Sequence, residues 1–168
     1  MSPSNARRPR VRESVGLLSL LTMLMVPSIA VAADAGIITK KSKYSVSETL
    51  DRFEAAVKAR AGAGFKVFTR IDHAAAAKEA GLNMRPSTVV VFGNPKLGTP
   101  VMLKTPVLGL DMPPKALVWE DDQGNVWLSY NSAEYLYKTI YPRHGLPDNG
   151  PAEAVGKALD EITDQATK

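Results

Sequence analysis

Glu120 and Trp127 stand on two β-prone stretches, residues 115–121 and 125–131, separated by a turn at Gln123-Gly124. A turn of even length centred there pairs Asp121 with Val126, Glu120 with Trp127 and Trp119 with Leu128. Side chains alternate along a strand, so Leu117, Trp119, Val126, Leu128 and Tyr130 then share a core face. Val118, Glu120, Trp127, Ser129 and Asn131 take the opposite one. An acid beside an indole, with a hydroxyl and an amide further along, has the makeup of a small-molecule pocket. The plainer alternative is a sheet surface turned to solvent or to a second subunit.

Asp72-His73 is the second place where chemistry is possible, because an imidazole titrates near neutrality and can act as acid, base or ligand. Glu120 and His73 together could serve a hydrolase or lyase as acid and base. The simpler reading makes Asp72 a helix cap and His73 a first-turn residue. Gly93-Asn94-Pro95-Lys96-Leu97-Gly98-Thr99 joins an apolar strand to a helix, and its N–H groups with Lys96 could hold an anion. The same residues also suit a tight turn, and the Gly-Lys-Ser/Thr ending of a phosphate-binding loop is absent. His144 is the one other histidine, and neither histidine has metal-ligand spacing, so no metal and no cofactor are expected. No Gly-x-Ser-x-Gly elbow or other catalytic motif is present. Tyr130, Tyr135, Tyr137 and Tyr141 form an aromatic group suited to packing or to a subunit contact.

The elements that must position these residues are legible from periodicity. Ser45 and Glu48 have capping-box spacing, and Val46, Leu50, Phe53 and Val57 then line one helix face until Gly62 and Gly64. Residues 65–71 alternate as a strand, and a short helix follows Asp72 and closes at Gly81. Residues 87–92 are apolar on both faces, as in a central strand. Residues 98–105 predict a short helix, and 105–114 an irregular connection with three prolines. The hairpin comes next, then a helix capped by Ser132, a loop over 142–151 and a helix from Ala152 to about Thr167. With a first short strand at 36–41, the order predicts a single small α+β domain. Its five-stranded sheet is mixed or antiparallel, with helices mainly on one face.

Residues 1–33 have the layout of a secretory signal peptide. Arg7, Arg8, Arg10 and Arg12 precede an uncharged apolar run, Pro27 breaks it, and Ala30-Val31-Ala32-Ala33 offers a cleavage site, preferably after Ala33. A membrane anchor is the alternative, but the run barely reaches spanning length. The expected organisation is a leader over 1–33, an α+β domain over 34–150 and a C-terminal helical extension over 151–168. The whole chain carries 21 Lys+Arg and 17 Asp+Glu, net +4. The leader takes four arginines and one acid with it, leaving a nearly neutral body that has no long-range field for nucleic acid or anionic lipid. The absence of cysteine excludes disulfides, thiolate metal sites and cysteine nucleophiles.

Several segments occur together in a recognisable order: Ile71-Asp72-His73, Arg85-Pro86, Val91-Phe92-Gly93-Asn94-Pro95, Gly98-Thr99-Pro100, residues 115–121 and residues 126–131. In this combination the chain resembles the bacterial domain of unknown function 302 family over roughly residues 36–146. The resemblance implies a small α+β fold, a bacterial setting and pairing as a homodimer, and it supplies no catalytic residue. The expectation is a periplasmic or secreted domain, off the membrane once the leader is cut. It would bind a small ligand or a protein partner as a homodimer. Glu120, Trp127, Ser129, Asn131, His73 and Lys96 are the residues to test for binding.

Overall fold

Residues 36–168 are described by the computed structural model, so the leader reading and its cleavage position fall outside the described residues. The chain runs β1 (Ile37–Lys41), α1 (Val46–Lys58), β2 (Lys66–Asp72), α2 (His73–Glu79), β3 (Ser87–Gly93) and α3 (Pro95–Lys104). It continues through a 3-10 turn (Pro106–Leu110), β4 (Lys115–Glu120) and β5 (Val126–Asn131). Last come α4 (Ala133–Tyr135), a π-helical turn (Leu136–Ile140), α5 (Tyr141–Arg143) and α6 (Ala152–Thr167). The strands form one sheet in the order β1-β5-β4-β3-β2, every neighbour antiparallel. The α+β reading and the five strands hold, and the sheet is antiparallel throughout.

Helix α1 begins where its cap dictates, with Ser45 Oγ accepting the Glu48 N–H at 3.2 Å. It buries Leu50, Phe53, Ala56 and Val57 against the sheet. Phe53 meets Phe92 edge-to-face at 5.0 Å between ring centres. A phenyl ring buried this way contributes about 1.5–3 kcal/mol over an exposed one. Helix α6 repeats the same spacing: Val155, Leu159, Ile162 and Ala166 fall on one stripe, and the last three are buried in the same core. Residues 151–168 are therefore part of the domain and not an extension to it. Polar contacts fix the docking. Lys40 Nζ donates to Asp160 at 3.0 Å and Asp164 at 2.7 Å, and the Tyr130 hydroxyl donates to Asp160 at 2.8 Å. Burial works against the Lys40 charge, but the Asp164 and Asp160 carboxylates outweigh it and raise its pKa.

The β4–β5 hairpin departs from the expected register by one residue. Trp119 pairs with Trp127, Glu120 with Val126 and Val118 with Leu128. The reason is the turn, whose loop Asp122–Gly124 has an odd number of residues, closed by Asp121 N–H on the Asn125 carbonyl at 2.9 Å. Gly124 has φ +77°, the left-handed residue that completes a three-residue hairpin loop. The Asp121 carboxylate fixes this geometry by accepting from the Gln123 and Asn125 N–H groups and from Trp127 Nε1 at 2.8 Å. Slipping one strand by one residue exchanges its faces. Val118 is accordingly fully buried beneath the helices with Ala116, Leu128 and Tyr130. Trp119 turns to the opposite face with Leu117, Trp127 and Ser129.

That opposite face stays half-buried: Leu117, Val89, Val91, Trp119 and Trp127 are all partly accessible, and Ile71 is 47 % exposed. Burial alone would raise the Asp121 pKa, but the hydrogen bonds from Trp127, Asn125 and Gln123 prevail and bring it to about 2. A carboxylate with a depressed folded pKa stabilises the fold above its unfolded value of about 3.9, and that contribution is lost as pH falls through the folded value. Asp121→Ala is expected to lower urea stability at pH 7, with the gap to wild type closing between pH 4 and pH 2. A gap that stays constant over that range, measured by urea titration at each pH, would show that the carboxylate does not pin the turn.

Candidate functional site

A concave feature lies at the end of the sheet where β3 and β5 finish and β4 begins. It is a cavity of about 690 Å³ between α3, the loop before β4, the α4–α5 run and α6. Its walls are mainly apolar, with Phe65, Phe92, Leu97, Met102, Ile140 and Val155 among them. The volume falls within the range of about 300–1,000 Å³ typical of sites for small organic molecules.

Local sequence explains how the walls come to stand there. Asn94 caps α3 with its side-chain oxygen on the Lys96 N–H at 3.0 Å, and its amide donates to the Ala63 carbonyl at 2.8 Å. Ser132 caps α4 through the Tyr135 N–H at 3.0 Å, and its own N–H reaches the Gly36 carbonyl at 2.7 Å. The chain then widens into the π-helical turn over Leu136–Ile140, a feature found often at functional sites. Tyr135, Tyr137 and Tyr141 all border the cavity. Tyr137 and Tyr141 meet edge-to-face at 4.8 Å. Gly150 lies against the Tyr137 ring so closely that a methyl group there has no room. Burial raises the pKa of both Tyr137 and Tyr141, so their hydroxyls remain neutral hydrogen-bonding groups across the physiological range.

One charged cluster sits on this rim. The Asp111 carboxylate hydrogen-bonds the buried His144 ring at 2.6 Å and faces Arg143 at 3.4 Å. The His144 bond is the main cause holding the Asp111 carboxyl below the usual range. Lys115 Nζ donates to the carbonyls of Asp111 at 3.3 Å and Pro113 at 3.1 Å.

The six residues singled out from sequence do not converge on one place. Asn131 alone borders the cavity. Trp127 and Ser129 lie on the open sheet face: Trp119 Nε1 donates to Ser129 Oγ at 3.0 Å, Ser129 and Thr39 share a 2.9 Å hydrogen bond, and the two indoles stack at 6.3 Å. Glu120 is on the helix-covered side, so the expected acid-beside-indole pair does not form. Its carboxylate receives Arg85 at 3.0 Å and borders a second, more open cleft with Arg70, Asp72 and Thr88. His73 is exposed in the first turn of α2 and lies outside the residues lining that cleft, where Asp72 caps Ala75 at 2.9 Å. Among the described residues no hydrogen bond joins Glu120 to His73, although Asp72 and Ala74 on either side of His73 line the same cleft as Glu120. Lys96 is exposed, and the anion reading of its loop loses its donors: the Lys96 N–H goes to the Asn94 side chain and those of Leu97 and Gly98 to the Asn94 carbonyl.

Sequence reasoning missed this cluster because Arg143 lies 32 positions from Asp111 and reaches it, with its near neighbour Lys115, only through the fold. The tyrosines were visible as a group, and the Gly93–Thr99 loop as a special turn. Neither signal said that both flank the same cavity.

The sequence profile of the domain of unknown function DUF302 matches residues 38–166. The chain belongs to the DUF302 family. This DUF302 match extends through α6, further than the resemblance over 36–146, in keeping with the packing of that helix in the core. The fold is also that of a crystal structure of an uncharacterized conserved DUF302 protein from Bacillus stearothermophilus. The TM-score is 0.62 at 20% identity, covering 79% of this chain and 98% of that one. Curated relatives include "Fluoride-specific ion channel FluC 1" of Brucella suis biovar 1 and the protein of the same name in Brucella abortus biovar 1. Each is 44% identical over 120 residues, which is 71% of this chain. The chain spans less than half the length of these relatives, 44% and 42% respectively.

Proposed function

We propose that this DUF302 domain is an exported binding module that holds a small, largely apolar molecule in the cavity at the end of its sheet and works as a homodimer. The observation that carries the reading is the cavity itself, a volume of about 690 Å³ with an apolar wall and a few polar groups at one side. Export rests on the leader pattern of residues 1–33. The homodimer rests on the open sheet face, where Leu117, Trp119 and Trp127 form a half-buried apolar centre. Interface cores are enriched in aromatic residues and poor in charge. A two-fold pairing of this face would place the indole pair against its own copy.

The Brucella relatives are named for fluoride. Fluoride is a small, strongly hydrated anion, and burying such a charge is costly without converging donors. The cavity wall is mainly apolar, and among the described residues no helix is long and apolar enough to cross a membrane. On this reading the stretch shared with those relatives is a ligand-binding companion to a transporter and not its pore.

Gly98 lies in α3 on the cavity wall, where an added Cβ would stand 3.7 Å from Met102 Cε. The neutral apolar dye N-phenyl-1-naphthylamine is expected to bind the wild-type protein with enhanced fluorescence. Gly98→Leu should weaken that binding at least about tenfold by filling the space. Equal binding by both proteins would remove the cavity as the site. Trp119→Glu is expected to convert a dimer to a monomer in sedimentation velocity, and a wild-type protein already monomeric at high micromolar concentration would end the dimer reading. Protein isolated from its own cells should begin at Asp34, and a mature N-terminus at Met1 would refute export.

A further inference from the structure

We propose that the cavity takes an amphipathic monoanion, a hydrocarbon chain or ring ending in a carboxylate, with its head at Lys115 and Arg143. This assignment rests on the cavity being the binding site and adds the class of its occupant.

The inference comes from the charges bordering the cavity. Among the described residues three lining side chains carry formal charge at neutral pH, Asp111, Lys115 and Arg143, and all three lie together. The Asp111 carboxylate already has a cationic partner in Arg143 at 3.4 Å and a hydrogen bond with His144 at 2.6 Å. Two cations and one carboxylate leave a positive excess at this end. Donors are in surplus as well. An ammonium has three N–H groups, and Lys115 gives two of them to backbone carbonyls. A guanidinium has five, and Arg143 engages Asp111 through one nitrogen. Arg143 is 62 % exposed, so this end of the cavity opens to water while Phe65, Phe92, Met102 and Val155 line the rest. That gradient suits a molecule with one charged end. A guanidinium matches a carboxylate in a planar, two-bonded geometry, whereas a cationic head would face repulsion and a neutral one would leave the surplus donors unused.

The test displaces N-phenyl-1-naphthylamine from the purified protein with dodecanoate, dodecanol or dodecylammonium at matched concentrations below micelle formation. Dodecanoate is expected to act at about one-tenth of the dodecanol concentration, as hydrogen bonds to charged groups would give. Arg143→Gln should narrow that gap several-fold, and Lys115→Gln combined with Arg143→Gln should remove it. Dodecanoate no better than dodecanol, or dodecylammonium better than both, would overturn the head-group assignment while leaving the cavity as a site. A gap unchanged in the double variant would overturn the assignment to Lys115 and Arg143. Failure of the dye to bind the wild-type protein at all would defeat the cavity reading and this one with it.

Discussion

The Asp121 carboxylate decides which side of the hairpin belongs to the core. By gathering the N–H groups of Gln123 and Asn125 and the indole N–H of Trp127, it holds the β4–β5 loop at an odd length. An odd loop places Trp119 opposite Trp127 and turns both away from the helices. Ala116, Val118 and Leu128 are left to meet α1 and α6. These are small or branched side chains, and the even register would set the Trp119 indole among them and force the helices outward. The close approach of α1 and α6, and with it the position of the cavity beside α6, depends on that turn.

Two helices with the same apolar spacing share the covered face. The stripe of α1 and the stripe of α6 join one buried cluster, and Lys40, Tyr130, Asp160 and Asp164 tie α6 to the sheet. The chain has no cysteine, so this packing and these polar ties hold the fold without covalent support. At the end of the sheet the packing is incomplete. There α3, the proline-rich loop before β4 and the π-helical turn stand apart enough to leave a cavity, and the rim collects the charges of Asp111, Lys115 and Arg143.

Much of the architecture was readable from local patterns. The capping serine at 45, the four apolar residues behind it, the aspartate before His73 and the doubly apolar run of β3 each describe an interaction within a few residues. The helix over 152–167 was equally visible, and its stripe of Val155, Leu159, Ile162 and Ala166 already indicated a buried partner. Reading it as an extension undervalued that stripe. The hairpin was visible too, but its register was not. Turns of even and odd length differ by one residue, and the choice here rests on the Asp121 carboxylate accepting two loop N–H groups and the indole N–H of a tryptophan six positions away.

The sequence by itself determined the strands, the main helices, the thiol-free chemistry and the near-neutral charge of the body after residue 33, because each follows from composition or short-range spacing. Only the tertiary structure decided that Glu120 and Trp127 face opposite ways, that the helix start at Lys96 spends its N–H groups on Asn94, and that Asp111, Lys115 and Arg143 share one rim. The physical reason is distance along the chain. A cap or a stripe is settled by neighbours within one or two turns, whereas a face or a cavity exists only once remote segments have packed against each other.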